Sequence, residues 1–501
     1  MPTISGNAKT DNDMNTNNDT ICAISTAPGI GGIAVARVSG REAIAICDKL
    51  WEGKALADAA SHTAHLGYVR DENGERLDQA VATLFRAPRS FTGEDTVEIS
   101  VHGSAYIQRE LIHALCAAGA RLAEAGEFTR RAFSSGRFDL AQAEAVADII
   151  AADSRASHRL AVSQMRGDFS AKLNGLHDSL LELVSLLELE LDFSEEDVEF
   201  ASRAKLRTLA ADIRQTVDRL ASSFRTGDAI KRGVSVAIVG ETNAGKSTLL
   251  NRLLHDDRAI VSDVHGTTRD VIEDTIDIDG VCFRFIDTAG LRKTDDTVEA
   301  MGISRTFQRL STARVILWII DASRPETIDD TAAEIMSRKA DDSRIVAVIN
   351  KCDIADAAEA RRRIAGIYSG SGAGADLSVR MGAGEGMGSG DGAGLGVSHV
   401  VEISADKAIG IDALEALLVQ LSGAKDISAS DVIVTNARHY NSLISARDSI
   451  DRAIDGIDRA ISGDFIAQDL RETLHHLSTI TGTITTTDIL ANIFSKFCLG
   501  K

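Results

Sequence analysis

Residues 240–247 read Gly-Glu-Thr-Asn-Ala-Gly-Lys-Ser, a complete G-x-x-x-x-G-K-[ST] loop set after the apolar run 234–239 and before a helical pattern over 248–254. No other feature constrains the fold as tightly, because a strand must enter a phosphate-cradling turn and leave it along a helix. The glycines let successive N–H groups turn inward on a nucleoside triphosphate, with Asn243, Ala244, Gly245 and Thr248 alongside. Lys246 reaches the β- and γ-oxygens, and the Ser247 hydroxyl is placed to hold Mg²⁺.

The base is read from Asn350-Lys351-Cys352-Asp353, which follows a second buried-strand run, 344–349. A carboxylate at Asp353 accepts both N1–H and the exocyclic amine of guanine, a donor pair that adenine lacks. Between these motifs, Asp287-Thr288-Ala289-Gly290 closes the strand 281–286, where the Asp orders Mg²⁺ through water and the Gly290 N–H senses the γ-phosphate. Upstream, Gly266-Thr267-Thr268-Arg269-Asp270 supplies a switch threonine, and Thr268 is the expected Mg²⁺ ligand. The strand 399–403 delivers Ser404-Ala405-Asp406, whose backbone is expected on the guanine O6. Five elements in this order, each at the end of an expected strand, describe a doubly wound P-loop GTPase domain.

In many signalling GTPases a Gln follows the Asp-Thr-Ala-Gly tetrapeptide and orients the attacking water; Leu291 stands there instead. Another group must orient water. Asn243 either ligates a monovalent cation beside the phosphates or is a turn residue.

These motifs, the stretch 287–305 (DTAGLRKTDDTVEAMGISR) and the terminal Phe497-Cys498-Leu499-Gly500-Lys501 resemble the TrmE-Era-EngA-like GTPases, and among them the MnmE (TrmE) family of tRNA modification GTPases. The resemblance spans every segment except a short N-terminal tail and one insertion. It implies that Glu299 is the catalytic, water-orienting residue; from chemistry alone Glu299 is one of several carboxylates in an acidic, solvated stretch. It further implies a K⁺ site at Asn243, Ser262, Val264 and Thr267, within a nucleotide-contacting loop that also holds Asp263, His265 and Gly266. An FAD-containing partner of the MnmG type is implied as well, in a heterotetramer built on a homodimer of this chain. The implied reaction places an aminomethyl or carboxymethylaminomethyl group on C5 of the wobble uridine (U34) of certain tRNAs. Its carbon comes from 5-formyl- or 5,10-methylene-tetrahydrofolate and its nitrogen from glycine or ammonium.

Length and charge agree with that scheme. At 501 residues the chain should hold about three domains on a ~100–200-residue basis. A net charge of −20 argues against a wholesale electrostatic grip on nucleic acid, so RNA would be held by a local patch or a partner. Cysteines at 22, 47, 116, 282, 352 and 498 show no metal-ligand spacing, and neither a secretory apolar segment nor a long apolar span is seen. A soluble protein of the reducing cytoplasm, with no membrane contact, is the expectation.

Residues 1–18 are polar and read as a disordered tail. Over 19–137, short strands at 20–26, 33–38, 80–85 and 96–102 alternate with helical patterns, predicting a small α+β domain. Pro28-Gly29-Ile30-Gly31-Gly32 has the wrong spacing for a dinucleotide fingerprint and reads as a turn. The resemblance implies folate binding here, through Arg37, Glu94, Arg137 and the C-terminal Lys501. Many relatives carry Lys where Arg137 stands, which exchanges a point charge for a planar fork. An Arg and a carboxylate suit an anionic glutamyl tail and a pterin edge, although either alone is usually a surface charge.

Apolar residues at three- and four-residue intervals predict helices from 138 to 231, and the pattern resumes over 434–461 and 470–480 within 426–501. Two bundles or one interrupted bundle would fit; the resemblance implies one discontinuous α-helical domain with the GTPase domain, 232–425, inserted. Inside that insert, 366–397 holds twelve of the chain's 41 glycines and cannot bury enough apolar surface to fold by itself. Cys498 is a candidate thiol nucleophile or a lining group of the one-carbon site, whereas an isolated cysteine is more often inert. Two rival readings are a ribosome-assembly GTPase that binds rRNA, although no Lys/Arg-rich module stands out, and a regulatory switch whose N-terminal domain binds a protein and no folate.

Overall fold

Strands between residues 21 and 122, most of them alternating in burial, pair into a seven-stranded sheet. A computed structural model of the chain describes residues 19–192, 203–255, 274–286, 310–340, 343–369, 397–423, 432–495, 497 and 500. The described residues divide into two compact units, one drawn from Met1–Ile150, Ala161–Val217 and Ser442–Lys501, the other from Ala151–Leu160 and Asp218–Asn441.

In the first unit the strands are β1 (Ile21–Ile24), β2 (Gly31–Ser39), β3 (Trp51–Glu52), β4 (Thr63–Arg70), β5 (Arg76–Phe85), β6 (Thr96–Gly103) and β7 (Arg121–Leu122). Their order is β3-β4-β5-β6-β2-β1-β7, antiparallel except for the β1–β7 pair. The glycines expected to form a turn at 31–32 instead open β2, and a register shift follows between Gly31 and Ala34. Strand alternation sends Ala34, Ala36, Val38, Val97, Ile99 and Val101 inward against helices α1 (Ala43–Leu50) and α2 (Ala105–Ala117). The opposite face is partly open, with Leu66 and Val81 paired across β4 and β5 and exposed.

The same unit holds α3 (Glu127–Ser134), α4 (Leu140–Ala151), whose last residue belongs to the other unit, and α6 (Asp168–Asp192), with α5 (Arg155–Arg166) preceding α6 in the chain. α6 opens at Asp168, which supplies a favourable acidic first turn. From the end of the chain come α13 (Gly463–Thr481) and α14 (Thr487–Phe494). α6 packs along α13, tied by an Arg471–Glu188 ion pair, so the helical domain is discontinuous in sequence. The long helices α7 (Arg203–Arg232) and α12 (Ala437–Asp458) carry the pairs Arg207–Asp458 at 2.6 Å and Arg214–Asp451 at 3.0 Å.

The second unit is built on β8 (Val234–Gly240), β9 (Asp274–Ile278), β10 (Val281–Ile286), β11 (Val315–Asp321), β12 (Arg344–Asn350) and β13 (Val397–Glu402). Their order is β13-β12-β11-β8-β10-β9, parallel throughout apart from the antiparallel edge strand β9. Helices cover both faces. α8 (Lys246–His255) and α11 (Ile411–Ser422) bury Leu249, Leu253, Leu414 and Leu418 on one side, against Val236, Ile238, Phe283 and Leu317. α9 (Ile328–Arg338) and α10 (Ala358–Ser369) bury Ile328, Ile335 and Ile364 on the other, against Val239, Ile316 and Trp318. This is the doubly wound arrangement, in which ligands bind beyond the carboxyl ends of the strands. The glycine-rich stretch was expected to start at 366, yet its first residues, Gly366 to Ser369, finish α10, and its last, Val397, opens β13. Apolar neighbours on both flanks account for that difference, since Ile364 and the partly buried Ile367 carry the helix into the core. Residues 370–396 and the 1–18 tail lie outside the described residues.

Candidate functional site

Three loops converge at the carboxyl ends of β8, β12 and β13. Asn350, the last residue of β12 and 3% exposed, donates from Nδ2 to the Ala244 carbonyl at 2.8 Å and accepts the Ala405 N–H on Oδ1 at 3.0 Å. One buried amide therefore ties the phosphate loop to the base loop. Gly245 makes this possible: with φ at +98°, an added Cβ would lie 2.1 Å from Asn350 Nδ2. Gly240 has the same necessity at the loop's entry, where a Cβ would meet the Ile319 carbonyl at 2.2 Å.

Lys246 opens α8, and its Nζ donates to the carbonyls of Gly240 at 2.8 Å and Glu241 at 2.7 Å. The ammonium is thus held against the loop. Ser247 follows it in the first turn, where orphan N–H groups and the helix dipole favour an anion. Thr248 is exposed one position on. Asn243 sits in the left-handed region, φ 63°, with its side chain exposed, a conformation that Asn tolerates better than most residues.

On the base side, the Cys352 N–H donates to Ile403 at 3.1 Å and Asp353 is exposed. Lys351, also left-handed at φ 65°, donates to Asp321 at 2.6 Å. Burial raises the Asp321 pKa, but hydrogen bonds from Lys351 and Ser323 outweigh that and leave it lowered. Asp321 was not anticipated from sequence; its signal was its place as the polar end of the apolar run β11. Ser404 and Ala405 are buried beside Asn350. Ser262, Asp263, Val264, His265, Gly266, Thr267, Thr268, Asp287, Thr288, Ala289, Gly290 and Glu299 lie outside the described residues.

A second cluster occupies the first unit. Arg37 and the buried Ser39 share the face of β2 opposite Ala36 and Val38; Arg37 pairs with Glu98 at 2.9 Å and lies 5.1 Å from the Phe91 ring centroid and 5.6 Å from that of Phe128. Glu94 accepts from Ser39 at 2.9 Å and from Arg131 at 3.2 Å. Gly93, at φ +81°, packs on Ser135 and Arg137, so the Thr92-Gly93-Glu94 turn and the exposed Arg137 are neighbours. Phe91 and Phe138 meet edge to face at 5.7 Å. Ser25 donates to the Gly500 carbonyl at 2.9 Å, which brings the end of the chain to β1. Cys498 and Lys501 lie outside the described residues.

Arg131 was missed in the sequence. It is 4% exposed and bonds Asp19 at 2.6 Å and Glu127 at 3.1 Å besides Glu94. Burial raises the Glu127 pKa, yet Arg121, the Glu124 amide and Arg131 together hold it below the ordinary value. Scattered cysteines also conceal a pair: Cys22 and Cys116 approach to 3.9 Å, and burial pushes the Cys22 thiol up to about 12. That thiol stays protonated and unreactive at neutral pH. Among the described residues no His/Cys/Asp/Glu group could hold a metal ion, and no helix is long and apolar enough to cross a membrane.

A sheet parallel but for one edge strand, ending in a phosphate loop that Asn350 joins to the Ser404-Ala405 segment, defines a P-loop GTPase. Within that class the chain belongs to the MnmE (TrmE) family of tRNA modification GTPases. Residues 140–498 match the MnmE helical domain and residues 20–137 the GTP-binding protein TrmE N-terminus. The tRNA modification GTPase MnmE of Parabacteroides distasonis is 47% identical over 487 residues, covering 96% of this chain and 100% of the relative. The protein of the same name from Bacteroides thetaiotaomicron is 47% identical over 490 residues, covering 97% and 100%. That of Cytophaga hutchinsonii is 45% identical over 488 residues, covering 96% and 98%.

Proposed function

We propose that this chain couples GTP hydrolysis to modification of the wobble uridine (U34) of certain tRNAs, adding an aminomethyl or carboxymethylaminomethyl group at C5. The observation that carries the GTPase half is Asn350, whose two hydrogen bonds hold the phosphate and base loops as one site. Asp353, exposed beside it, reads N1–H and the exocyclic amine of guanine. Lys246 exchanges the carbonyls of Gly240 and Glu241 for phosphate oxygens.

The residues present fit two cations. Ser247 offers a hard hydroxyl oxygen at the start of α8, as Mg²⁺ requires, with Thr268 as its companion ligand. Asn243 presents an exposed amide in a left-handed turn, and with Ser262, Val264 and Thr267 it would hold K⁺. Such cations supply positive charge where negative charge grows on the transferred phosphoryl group. Glu299 is assigned the orientation of the attacking water, in place of the Gln that Leu291 displaces.

Arg37 over Phe91, Phe91 against Phe138, and the Gly93-Glu94 turn beside Arg137 support a tetrahydrofolate site. A carboxylate suits the pterin edge, aromatic rings suit its faces, and arginines suit the glutamyl tail. Gly500 beside Ser25 is consistent with Lys501 contributing there, and with Cys498 acting near the one-carbon unit. With a net charge of −20, the chain leaves much of the tRNA affinity to an FAD-containing MnmG-type partner, in a cytoplasmic heterotetramer built on a homodimer. GTP turnover then drives rearrangement and is not the chemical step on RNA.

Nucleoside mass spectrometry of bulk tRNA from cells lacking the gene, rescued with wild type or Cys498→Ser, tests the reading. Loss of a 5-aminomethyl-type uridine that wild type restores is expected. An unchanged uridine profile in the deletion would overturn the role, and full rescue by Cys498→Ser would remove the thiol from it.

A further inference from the structure

Arg252 lies on α8, the helix that begins at Lys246, and is half-buried under the base loop. Its Nη2 donates to the Asp406 carbonyl at 2.9 Å and its Nε to the Ala405 carbonyl at 3.4 Å. A planar fork gripping two successive carbonyls fixes the peptide planes between them, which a point ammonium would not do. In a trans peptide the Ala405 C=O and the Asp406 N–H point in opposite directions, so anchoring the carbonyl on α8 aims that N–H away from the helix.

The flanking amides are already engaged: the Ala405 N–H with Asn350 Oδ1 at 3.0 Å and the Lys407 N–H with Ser404 Oγ at 3.3 Å. The Asp406 N–H between them donates to none of the described residues. We propose that Arg252 is a positioning residue for guanine recognition, bracing the base loop so that the Asp406 N–H donates to the guanine O6. One helix would then receive phosphates at its first turn and, from its second, set the donor that reads the base. This deepens the guanine reading above and rests on it.

The test measures binding of GTP, 6-thio-GTP and ITP to the full chain and to its Arg252→Met and Arg252→Ala variants. 6-thio-GTP keeps N1–H and the amine but offers sulfur, a weak acceptor, in place of O6; ITP keeps O6 and loses the amine read by Asp353. In the variants the preference for GTP over 6-thio-GTP should fall about fivefold, the worth of one ordinary hydrogen bond, while the preference for GTP over ITP is retained. Ratios taken within one variant cancel any general loss of affinity, and Arg252→Met keeps an unbranched apolar stem at that position of α8. An unchanged 6-thio-GTP ratio in both variants overturns the role of Arg252. Absence of discrimination against ITP in the wild type overturns instead the guanine reading on which it rests.

Discussion

The six-stranded sheet of the GTPase unit is buried on both faces, whereas the seven-stranded sheet of the first unit is buried on one and only partly covered on the other, by the cluster of Ile21, Ala23 and Phe128. In the first case β8, β11 and β12 are apolar almost from end to end, and polar function is left to the loops at their carboxyl ends. In the second, alternate residues of β2 and β6 point away from the α1–α2 side, so Arg37, the buried Ser39 and Glu98 lie on the sheet itself. Contiguous motifs follow from the former geometry and dispersed clusters from the latter. The two also differ in what holds the polar groups: Asn350, a neutral amide, with a single Lys351–Asp321 pair beside it in the GTPase unit, and a buried ionic network around Arg131 in the other.

Removing the centre of that network is the hardest test of the contrast. Arg131→Met should cost about 3–5 kcal/mol of stability, because Glu127 is 1% exposed and would lose a buried cation. A denaturant midpoint unchanged from wild type would show the network to be ornamental. Next in size, Leu317→Ala, fully buried in β11, should cost about 2–5 kcal/mol, while Leu66→Ala on the open face of β4, 68% exposed, should stay within about 0.5 kcal/mol. Equal losses would mean that the open face is covered in solution.

Asp353→Asn should weaken GTP binding by about ten- to a hundredfold, since a charge-assisted pair of hydrogen bonds is lost. Retained guanine preference, measured against ITP, would move base recognition elsewhere. The smallest effect is in acid. Asp19 and Glu127 are both depressed; burial alone would raise each, but the guanidinium groups of Arg121 and Arg131 prevail. Groups with a lowered folded pKa give stability that is complete above their unfolded value near 4 and is lost as pH falls through the folded one. The first unit should therefore open before the GTPase unit, where Asp321 is the comparable carboxylate among the described residues. Amide exchange measured between pH 5 and 3 reads this, and simultaneous opening would contradict it.

Legibility in the sequence follows the same division. The phosphate loop, Asn350 to Asp353 and Ser404-Ala405 could be placed because each occupies one loop after one apolar run. What could not be read was their joining, since Asn350 meets Ala244 across 106 positions. Arg131 escaped notice because its partner Asp19 is 112 positions away, and Cys22 and Cys116 likewise meet only through the pairing of β1 and α2. Helix limits drifted where packing overrides composition, as at Gly366 to Ser369, which the core draws into α10. Arg252 carries no motif at all; its role exists only because the base loop folds over α8.

The chain contains two tryptophans, and they fall one to each sheet. Trp51 opens β3, its indole lying so close over Gly67 that an added Cβ there would sit 2.5 Å from it, and Trp318 is 2% exposed in β11. Single-tryptophan proteins made by Trp51→Phe or Trp318→Phe would thus give each unit its own optical signal. Nucleotide and folate titrations could then be followed by intrinsic emission, with the responding unit known from which indole remains.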